Sequence, residues 1–225
     1  MSSATYALTT SANTNGEVTG SAYLIVALVE KDLAVKWHTV RMKTASEHAF
    51  PDRFETECLV LRSWCTDDAE ALFRYASDPE VGPMAGWPVH TSVADSTSII
   101  ETVLMKPGIY AVTLKKTGEP IGSIGLEVNE KLNPGLDALE LGYWIAAPFW
   151  GNGYVGEAAQ ALIDYTFEEL GVPVIWCGAF EENAKSRRVQ EKLGFVFDRE
   201  IKDFEFPLIQ AKKTLIVTRL ERPGA

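Results

Sequence analysis

The chain has 225 residues, a length that fits one domain with an extension or two small domains. Hydrophobic residues make up 46% and charged residues 23% of the sequence, so the composition predicts a packed core and excludes a wholly disordered chain. Lys and Arg total 21 against 31 Asp and Glu, which gives a net charge of -10. Nucleic acids and anionic membrane surfaces attract basic proteins, so we expect neither as a partner.

The cysteines and histidines form no recognisable metal or disulfide pattern. The three cysteines contain no C-x-x-C pair and lie at Cys58, Cys65 and Cys177. The three histidines are equally scattered, at His38, His48 and His90. The longest apolar run, residues 23–29, is far shorter than the roughly 20 residues that cross a bilayer. Residues 1–22 contain no Lys or Arg, which disfavours a signal peptide. We therefore expect no metal, no membrane span and a cytoplasmic location.

The first part of the chain differs in composition from the rest. Residues 1–21 are mostly small and polar, which is typical of a flexible segment. Residues 23–42 become apolar and then basic, and the pattern leaves a strand and a short helix both open. We predict a partly flexible N-terminal extension over residues 1–53 and one domain over residues 54–225.

Strand and helix patterns alternate after residue 54. Short β-type runs occur at residues 59–61, 110–114, 121–126, 139–145, 174–179, from 195 onward and at 212–220. Helical spacing occurs after a candidate cap at Thr66, around residues 99–104, between Gly151 and Gly171, and at residues 184–193 before Gly194. A meander before the long helix and a strand-helix-strand unit after it predict a mixed α/β fold.

A glycine-rich turn precedes the long helix. Gly151 to Gly156 reads G-x-G-x-x-G, so a dinucleotide-binding turn is one interpretation. That interpretation requires an acidic residue at the end of the following strand and further parallel strands, and the sequence supplies neither. The backbone amides of such a turn at a helix N-terminus bind the phosphates of other nucleotides equally well.

Two motifs resemble the GNAT N-acetyltransferase superfamily. The stretch Trp150-Gly-Asn-Gly-Tyr-Val155 is similar to its acetyl-coenzyme A loop, Q/R-x-x-G-x-G/A, with Val155 where Gly or Ala is usual. About 30 residues later, Asn183-Ala-Lys-Ser186 and Val189-Gln-Glu-Lys-Leu-Gly-Phe195 resemble the branch that includes ribosomal-protein N-terminal acetyltransferases. The resemblance extends over residues 54–220 and implies the GNAT fold, a twisted and mostly antiparallel sheet splayed at the cofactor site and flanked by helices.

The resemblance also implies an activity and a set of cofactor contacts. The expected reaction moves an acetyl group from acetyl-coenzyme A to a primary amine, a protein N-terminus or a small molecule, by direct attack in a ternary complex without a metal. The residues that it assigns to the cofactor are Tyr143, Trp144, Ile145, Trp150, Gly151, Asn152, Gly153, Tyr154, Val155, Gly156, Asn183 and Ser186.

Catalytic and acceptor residues follow from the same resemblance. Glu140 is a candidate general base, with a purely structural carboxylate as the alternative. Ser186 is a candidate proton donor to the departing thiolate, and Asn183 a candidate N-cap that also orders a water or the pantetheine arm. Met84 and Trp87, in the loop 82–88, are expected to contact the acceptor. A non-catalytic acetyl-coenzyme A sensor stays open as an alternative, as do the identity of the acceptor and the oligomeric state, a homodimer included.

Overall fold

A computed structural model describes residues 49–129 and 139–224, together with the backbones of residues 6–9, 23–29 and 35–41. The chain divides into two compact units, and we describe each by itself. The smaller unit contains an antiparallel sheet of three strands, β1 (Tyr6–Thr9), β2 (Tyr23–Val29) and β3 (Val35–Arg41). Strand β1 lies within the segment whose composition predicts flexibility. For residues 23–42 the structure decides between strand and helix in favour of two strands.

The larger unit comprises residues 50–127 and 138–225 and combines one sheet with flanking helices. Its strands are β4 (Arg53–Glu55), β5 (Leu59–Arg62), β6 (Ile109–Leu114), β7 (Pro120–Val128), β8 (Leu139–Ile145), β9 (Val174–Phe180), β10 (Val196–Phe206) and β11 (Ala211–Glu221). Its helices are α1 (Ala69–Ala76), α2 (Val93–Ile99), α3 (Tyr154–Glu168) and α4 (Ala184–Lys192). The predicted mixed α/β fold is confirmed.

The sheet is interrupted between β8 and β9. Its strand order is β10-β11-β9-β8-β7-β6-β5-β4. Strands β8 and β9 pair in parallel at Leu139 with Ile175 and at Glu140 with Trp176. Both strands continue beyond these pairs, to Ile145 and Phe180, with no further backbone pairing between them in the described chain. The other registers that the structure gives are antiparallel, so the dinucleotide-binding interpretation, which needs a parallel sheet, is wrong.

Helix α3 packs one face against the sheet, as its periodicity predicts. Its buried residues are Ala158, Ala159, Leu162, Ile163, Thr166 and Phe167. The helix ends at Glu168, so Leu170, which the pattern includes, lies just outside it. Gly171 has a φ of +67°, a left-handed conformation that glycine adopts without the steric penalty of a side chain.

The start of α1 differs from the prediction. A 3₁₀ turn, Thr66–Asp68, precedes the helix, and Cys65 rather than Thr66 is the N-cap of that turn. The cause is Asp68, whose carboxylate accepts from the Cys65 amide at 3.1 Å and from both terminal nitrogens of Arg62 at 2.7 Å. The second helical pattern also divides, into α2 and a π-helical turn, Ile100–Leu104.

Replacing Asp68 by asparagine is expected to lower the free energy of unfolding by about 1.5–3 kcal/mol, because it removes charged hydrogen bonds from a buried group. Burial raises the pKa of Asp68, but hydrogen bonds from Arg62 and the Cys65 backbone outweigh it and lower the pKa below its ordinary value. The stabilisation is therefore present above the unfolded pKa of about 3.9 and is lost as the pH falls through the lower folded pKa. Urea unfolding at pH 7 and pH 3 measures both effects. The adjacent, exposed Asp67→Asn is the control and should change little.

Candidate active site

The glycine loop leaves open space at the N-terminus of α3. Gly151 and Gly153 have φ values of +80° and +84°, and Gly153 is the N-cap of the helix. A methyl group on the Cα of Gly151, Gly153 or Gly156 would meet no atom of the described residues within 4 Å. The first helical bond runs from the Glu157 amide to the Gly153 carbonyl, so the preceding N–H groups have no intrahelical acceptor. This arrangement is suited to an anion such as a pyrophosphate.

Two predicted cofactor residues hold the loop in shape. The Trp150 indole donates to the Ile145 carbonyl at 2.6 Å and so ties the loop to the end of β8. The Asn152 amide donates to the carbonyls of Phe149 at 3.0 Å and Trp150 at 3.3 Å. Both side chains have structural roles, which leaves the loop backbone as the candidate phosphate ligand.

Helix α4 brings positive charge to the loop. The Lys185 ammonium lies 3.5 Å from the centroid of the Trp150 ring, a cation–π contact. Arg187 and Arg188 follow it in the first turns of the same helix. Arg188 pairs with the exposed Glu191, whereas Lys185 contacts the loop through Trp150 and so places a positive charge there in a chain whose net charge is -10. Lys185 is not among the predicted site residues, although it stands directly before Ser186 in the second motif.

Glu140 lies on one face of the sheet beside the gap between β8 and β9. Side chains alternate along a strand, so Glu140, Gly142 and Trp144 share this face. A methyl group on Gly178 of β9 would lie 3.3 Å from a carboxylate oxygen of Glu140, so the carboxylate extends across to that strand. Gly142 is exposed although it lies in an interior strand, and a methyl group there would meet no described atom within 4 Å. The structure thus has a carboxylate next to open space.

Tyr143 and Ser186 meet on the opposite face. The Tyr143 hydroxyl lies 2.9 Å from Ser186 Oγ and also donates to the Ser186 carbonyl at 3.2 Å. Burial raises the pKa of Tyr143 well above its ordinary value, so its hydroxyl stays protonated near neutral pH. The resemblance assigns Tyr143 to the cofactor but does not predict this contact of its side chain with Ser186. The available signal was a hydroxyl on the otherwise apolar face shared with Leu141 and Ile145.

A buried glutamine, Gln190, holds the side chain of Ser186 in position. Gln190 is 1% exposed, and its amide nitrogen donates to Ser186 Oγ at 3.3 Å and to the Cys177 sulfur at 3.1 Å. The Thr218 hydroxyl donates to the Gln190 carbonyl oxygen at 3.0 Å. Because this amide nitrogen can only donate, Ser186 accepts from it and directs its own proton elsewhere. Burial raises the pKa of Cys177, so this thiol stays protonated.

Asn183 links helix α4 to the loop 82–88. Its side-chain oxygen accepts from the Ser186 amide at 3.0 Å, which confirms the predicted N-cap of α4. Its amide nitrogen donates to the Met84 carbonyl at 3.3 Å. The structure therefore places Asn183 as a brace between α4 and the loop 82–88.

Trp87 forms a wall of a cavity on the same face as Glu140. The cavity has a volume of about 250 Å³, and Trp87 and Trp144 meet there edge to face with ring centroids 5.7 Å apart. Met84, predicted beside Trp87, reaches the site through its backbone carbonyl and is absent from the cavity lining.

Two further features that the described residues could contain are a metal site and a membrane-spanning helix. No group of three or more His, Cys, Asp or Glu side chains within it could hold a metal ion. None of its helices is long and apolar enough to cross a membrane.

Comparisons with known proteins agree with this geometry. Residues 59–196 match the family described as acetyltransferase (GNAT) domain. The uncharacterized N-acetyltransferase p20 of Bacillus licheniformis is 32% identical over 155 residues, which cover 67% of this chain and 85% of that protein. The putative ribosomal N-acetyltransferase YdaF of Bacillus subtilis is 37% identical over 86 residues, 38% of this chain and 45% of that protein. The crystal structure of a GNAT-family acetyltransferase from Bacillus anthracis aligns with a TM-score of 0.66 at 24% identity, over 76% of this chain and 98% of that one.

Proposed function

Because the chain belongs to the acetyltransferase (GNAT) family, we propose that it transfers an acetyl group from acetyl-coenzyme A to a primary amine by direct attack in a ternary complex. The observation that carries the proposal is the position of the open α3 N-terminus. The Trp150 indole bonds it to the end of β8, the strand that borders the gap. A phosphate-binding loop and an opening in the sheet are thus joined within a few residues.

The residues present fit the cosubstrate. The amides of residues 151–156 would hold the pyrophosphate, with Lys185 beside them. The edge of β8 beyond Glu140 has no pairing with β9, so its backbone groups are available to an extended pantetheine chain, as in strand addition. Strand β8 also pairs with β7 on its other edge, and the Ile145 carbonyl already accepts from Trp150, so this role would fall to the remaining groups of residues 143–145 that face the gap.

The chemistry divides between the two faces of the sheet. Acetyl-coenzyme A supplies an activated acyl group as its thioester. Glu140 would take a proton from the incoming ammonium, directly or through a water, so that the nitrogen lone pair becomes free. As the new carbon–nitrogen bond replaces the carbon–sulfur bond, the nitrogen would lose its second proton to water, and Ser186 would supply a proton to the departing sulfur from the other face. The Tyr143 hydroxyl, 2.9 Å away, would reprotonate Ser186 and regain its own proton from water.

The acceptor class rests on chemistry and on the relatives. A carboxylate beside open space suits a primary amine, either a peptide N-terminus or a small molecule. The name of the relative YdaF points to ribosomal proteins, and we retain a protein N-terminus as one acceptor on that ground. A non-catalytic sensor would keep the loop without needing a base or a proton donor. The carboxylate and the serine–tyrosine pair on opposite faces of the gap favour turnover.

Replacing Gly153 by glutamate is expected to weaken acetyl-coenzyme A binding at least about tenfold, or about 1.4 kcal/mol. A side chain at a φ of +84° is strained, fills the open space and places a negative charge at the pyrophosphate position. Calorimetric titration with acetyl-coenzyme A measures the change. Gly118→Glu is the matched control, because Gly118 is also an open glycine, with a φ of +71°, but lies in the β6–β7 turn. Equal affinities for both variants would contradict the assignment of the loop.

A further inference from the structure

We propose that the acceptor is a primary amine carrying an apolar group about the size of one aromatic ring, and that this group binds in the cavity between Trp87 and Trp144. The inference rests on the proposed acetyl transfer and narrows its substrate. It favours arylalkylamines, or peptides whose first residue is large and apolar, over polyamines and other polycations.

The walls of the cavity are almost entirely apolar. Its apolar lining includes Leu72, Trp87, Ile99, Leu104, Trp144 and Leu208. Trp87 also lies 5.4 Å from the His90 ring, so aromatic rings form adjoining walls. A volume of about 250 Å³ is below the roughly 300–1,000 Å³ of pockets that hold drug-sized ligands. The space therefore suits one ring or a branched chain.

The cavity is close enough to Glu140 for one small ligand to reach both. Trp144 in its wall is on the same strand face as Gly142 and Glu140. Strands rise about 3.3 Å per residue, so Trp144 lies about 7 Å from Gly142, where the open space begins. Glu140 lies two residues further along the strand, about 13 Å from Trp144 between Cα atoms. Its carboxylate extends toward Gly178, two positions beyond the partner of Glu140 on β9, and so covers part of that distance. An amine joined to a ring through one or two carbons would cover the remainder, with the ring against Trp144.

The charges of the lining argue against a polycation. His90 and Asp95 are its titratable residues. Burial lowers the pKa of His90, with Asp95 opposing in part, and His90 Nδ1 lies 2.8 Å from Ser96 Oγ. Asp95 already accepts from the Thr91 amide at 2.9 Å. A single carboxylate that already accepts a hydrogen bond cannot neutralise a ligand with several ammonium groups. Moving those groups from water to apolar walls is costly.

The rim of the cavity extends the apolar surface into solvent. Val103 is 41% and Leu208 69% exposed, although both line the cavity. Leu208 belongs to the 3₁₀ turn Pro207–Ile209 between β10 and β11. Bound apolar substituents would cover these side chains and remove their apolar surface from water, which favours binding.

The test compares acceptors of different chemistry. Release of free coenzyme A is followed with 2-phenylethylamine, ethylamine, spermidine, and short peptides beginning with Phe or Ser. Amine binding to protein saturated with coenzyme A is followed by tryptophan fluorescence, which requires no turnover. We expect 2-phenylethylamine or the Phe peptide to exceed its small or polar counterpart about tenfold or more in kcat/KM and in affinity. The two aromatic compounds distinguish a small molecule from a peptide N-terminus.

Two variants connect the preference to the cavity. Trp87→Leu and the exposed Leu208→Ser should reduce kcat/KM for the aromatic acceptor more than for ethylamine. Phe197→Ser is the matched control, because Phe197 is 64% exposed but lies outside the cavity. Tighter binding of spermidine or ethylamine, or variants that leave the preference unchanged, would overturn the inference. Acetyl-coenzyme A binding without acetylation of any amine would instead count against the proposed transfer, while the fluorescence titration still decides the acceptor chemistry.

Discussion

Replacing Glu140 by glutamine is expected to lower kcat about 10²- to 10⁴-fold near pH 6, which corresponds to about 3–5 kcal/mol of activation free energy. Glutamine keeps the size of the side chain but cannot take a proton from the acceptor ammonium. The defect should shrink as the pH rises, because a growing fraction of the amine is then neutral without help. A pH profile of kcat for both proteins, with the same acceptor, measures this convergence.

The control for Glu140 is another carboxylate near the same strands. Glu127 lies on β7 and is exposed, so Glu127→Gln should leave the pH profile unchanged. Both variants should bind acetyl-coenzyme A like the unmodified protein, since neither residue belongs to the loop 151–156. Wild-type turnover of Glu140→Gln at every pH would leave Glu140 as a structural carboxylate. A loss in Glu127→Gln instead would transfer the role of base to Glu127.

Local sequence signals predicted much of the fold. The bounds of β8, residues 139–145, are those of the strand predicted from the sequence. Gly171 and Gly194 end α3 and α4 with positive φ values, because glycine is the residue that adopts this conformation at little cost. Asn183 caps α4 through a bond to a residue three positions away, which a local motif can encode.

Local signals could not predict contacts between residues that lie far apart in the sequence. Asn183 binds the Met84 carbonyl across 99 positions, and Tyr143 meets Ser186 across 43. Neither partner changes the periodicity of its own element, so no local pattern reveals the pair. The 3₁₀ turn before α1 depends on nearer contacts, because Arg62 and Cys65, six and three positions before Asp68, both donate to its carboxylate.

The strand alternation of β8 organises the whole candidate site. Odd and even positions point to opposite faces, so one strand presents Trp144 to the cavity, Glu140 to the same face of the sheet and Tyr143 to α4. The missing pairing with β9 opens the space between these faces. Strand β8 thereby separates Glu140, which would remove a proton, from Tyr143 and Ser186, which would supply one.

Replacing Ser186 by alanine is expected to lower kcat about 10²- to 10⁴-fold with little dependence on pH, because the change removes a proton donor to sulfur and not a titrating base. The cap of α4 uses the Ser186 backbone, so the helix should persist. Ser98→Ala, on an exposed position of α2, is the control and should retain full activity.

Tyr143→Phe tests whether the two hydroxyls act as one path for the proton. Phenylalanine keeps the ring but removes the group 2.9 Å from Ser186 Oγ. If Tyr143 acts through Ser186, the double variant should be scarcely slower than Ser186→Ala alone, a coupling free energy of about 0.5–3 kcal/mol in a double-mutant cycle. Additive losses would mean that Tyr143 reaches the sulfur by itself. Full activity of Tyr143→Phe would reduce its hydroxyl to a support for α4, and Ser186 would then exchange its proton with water.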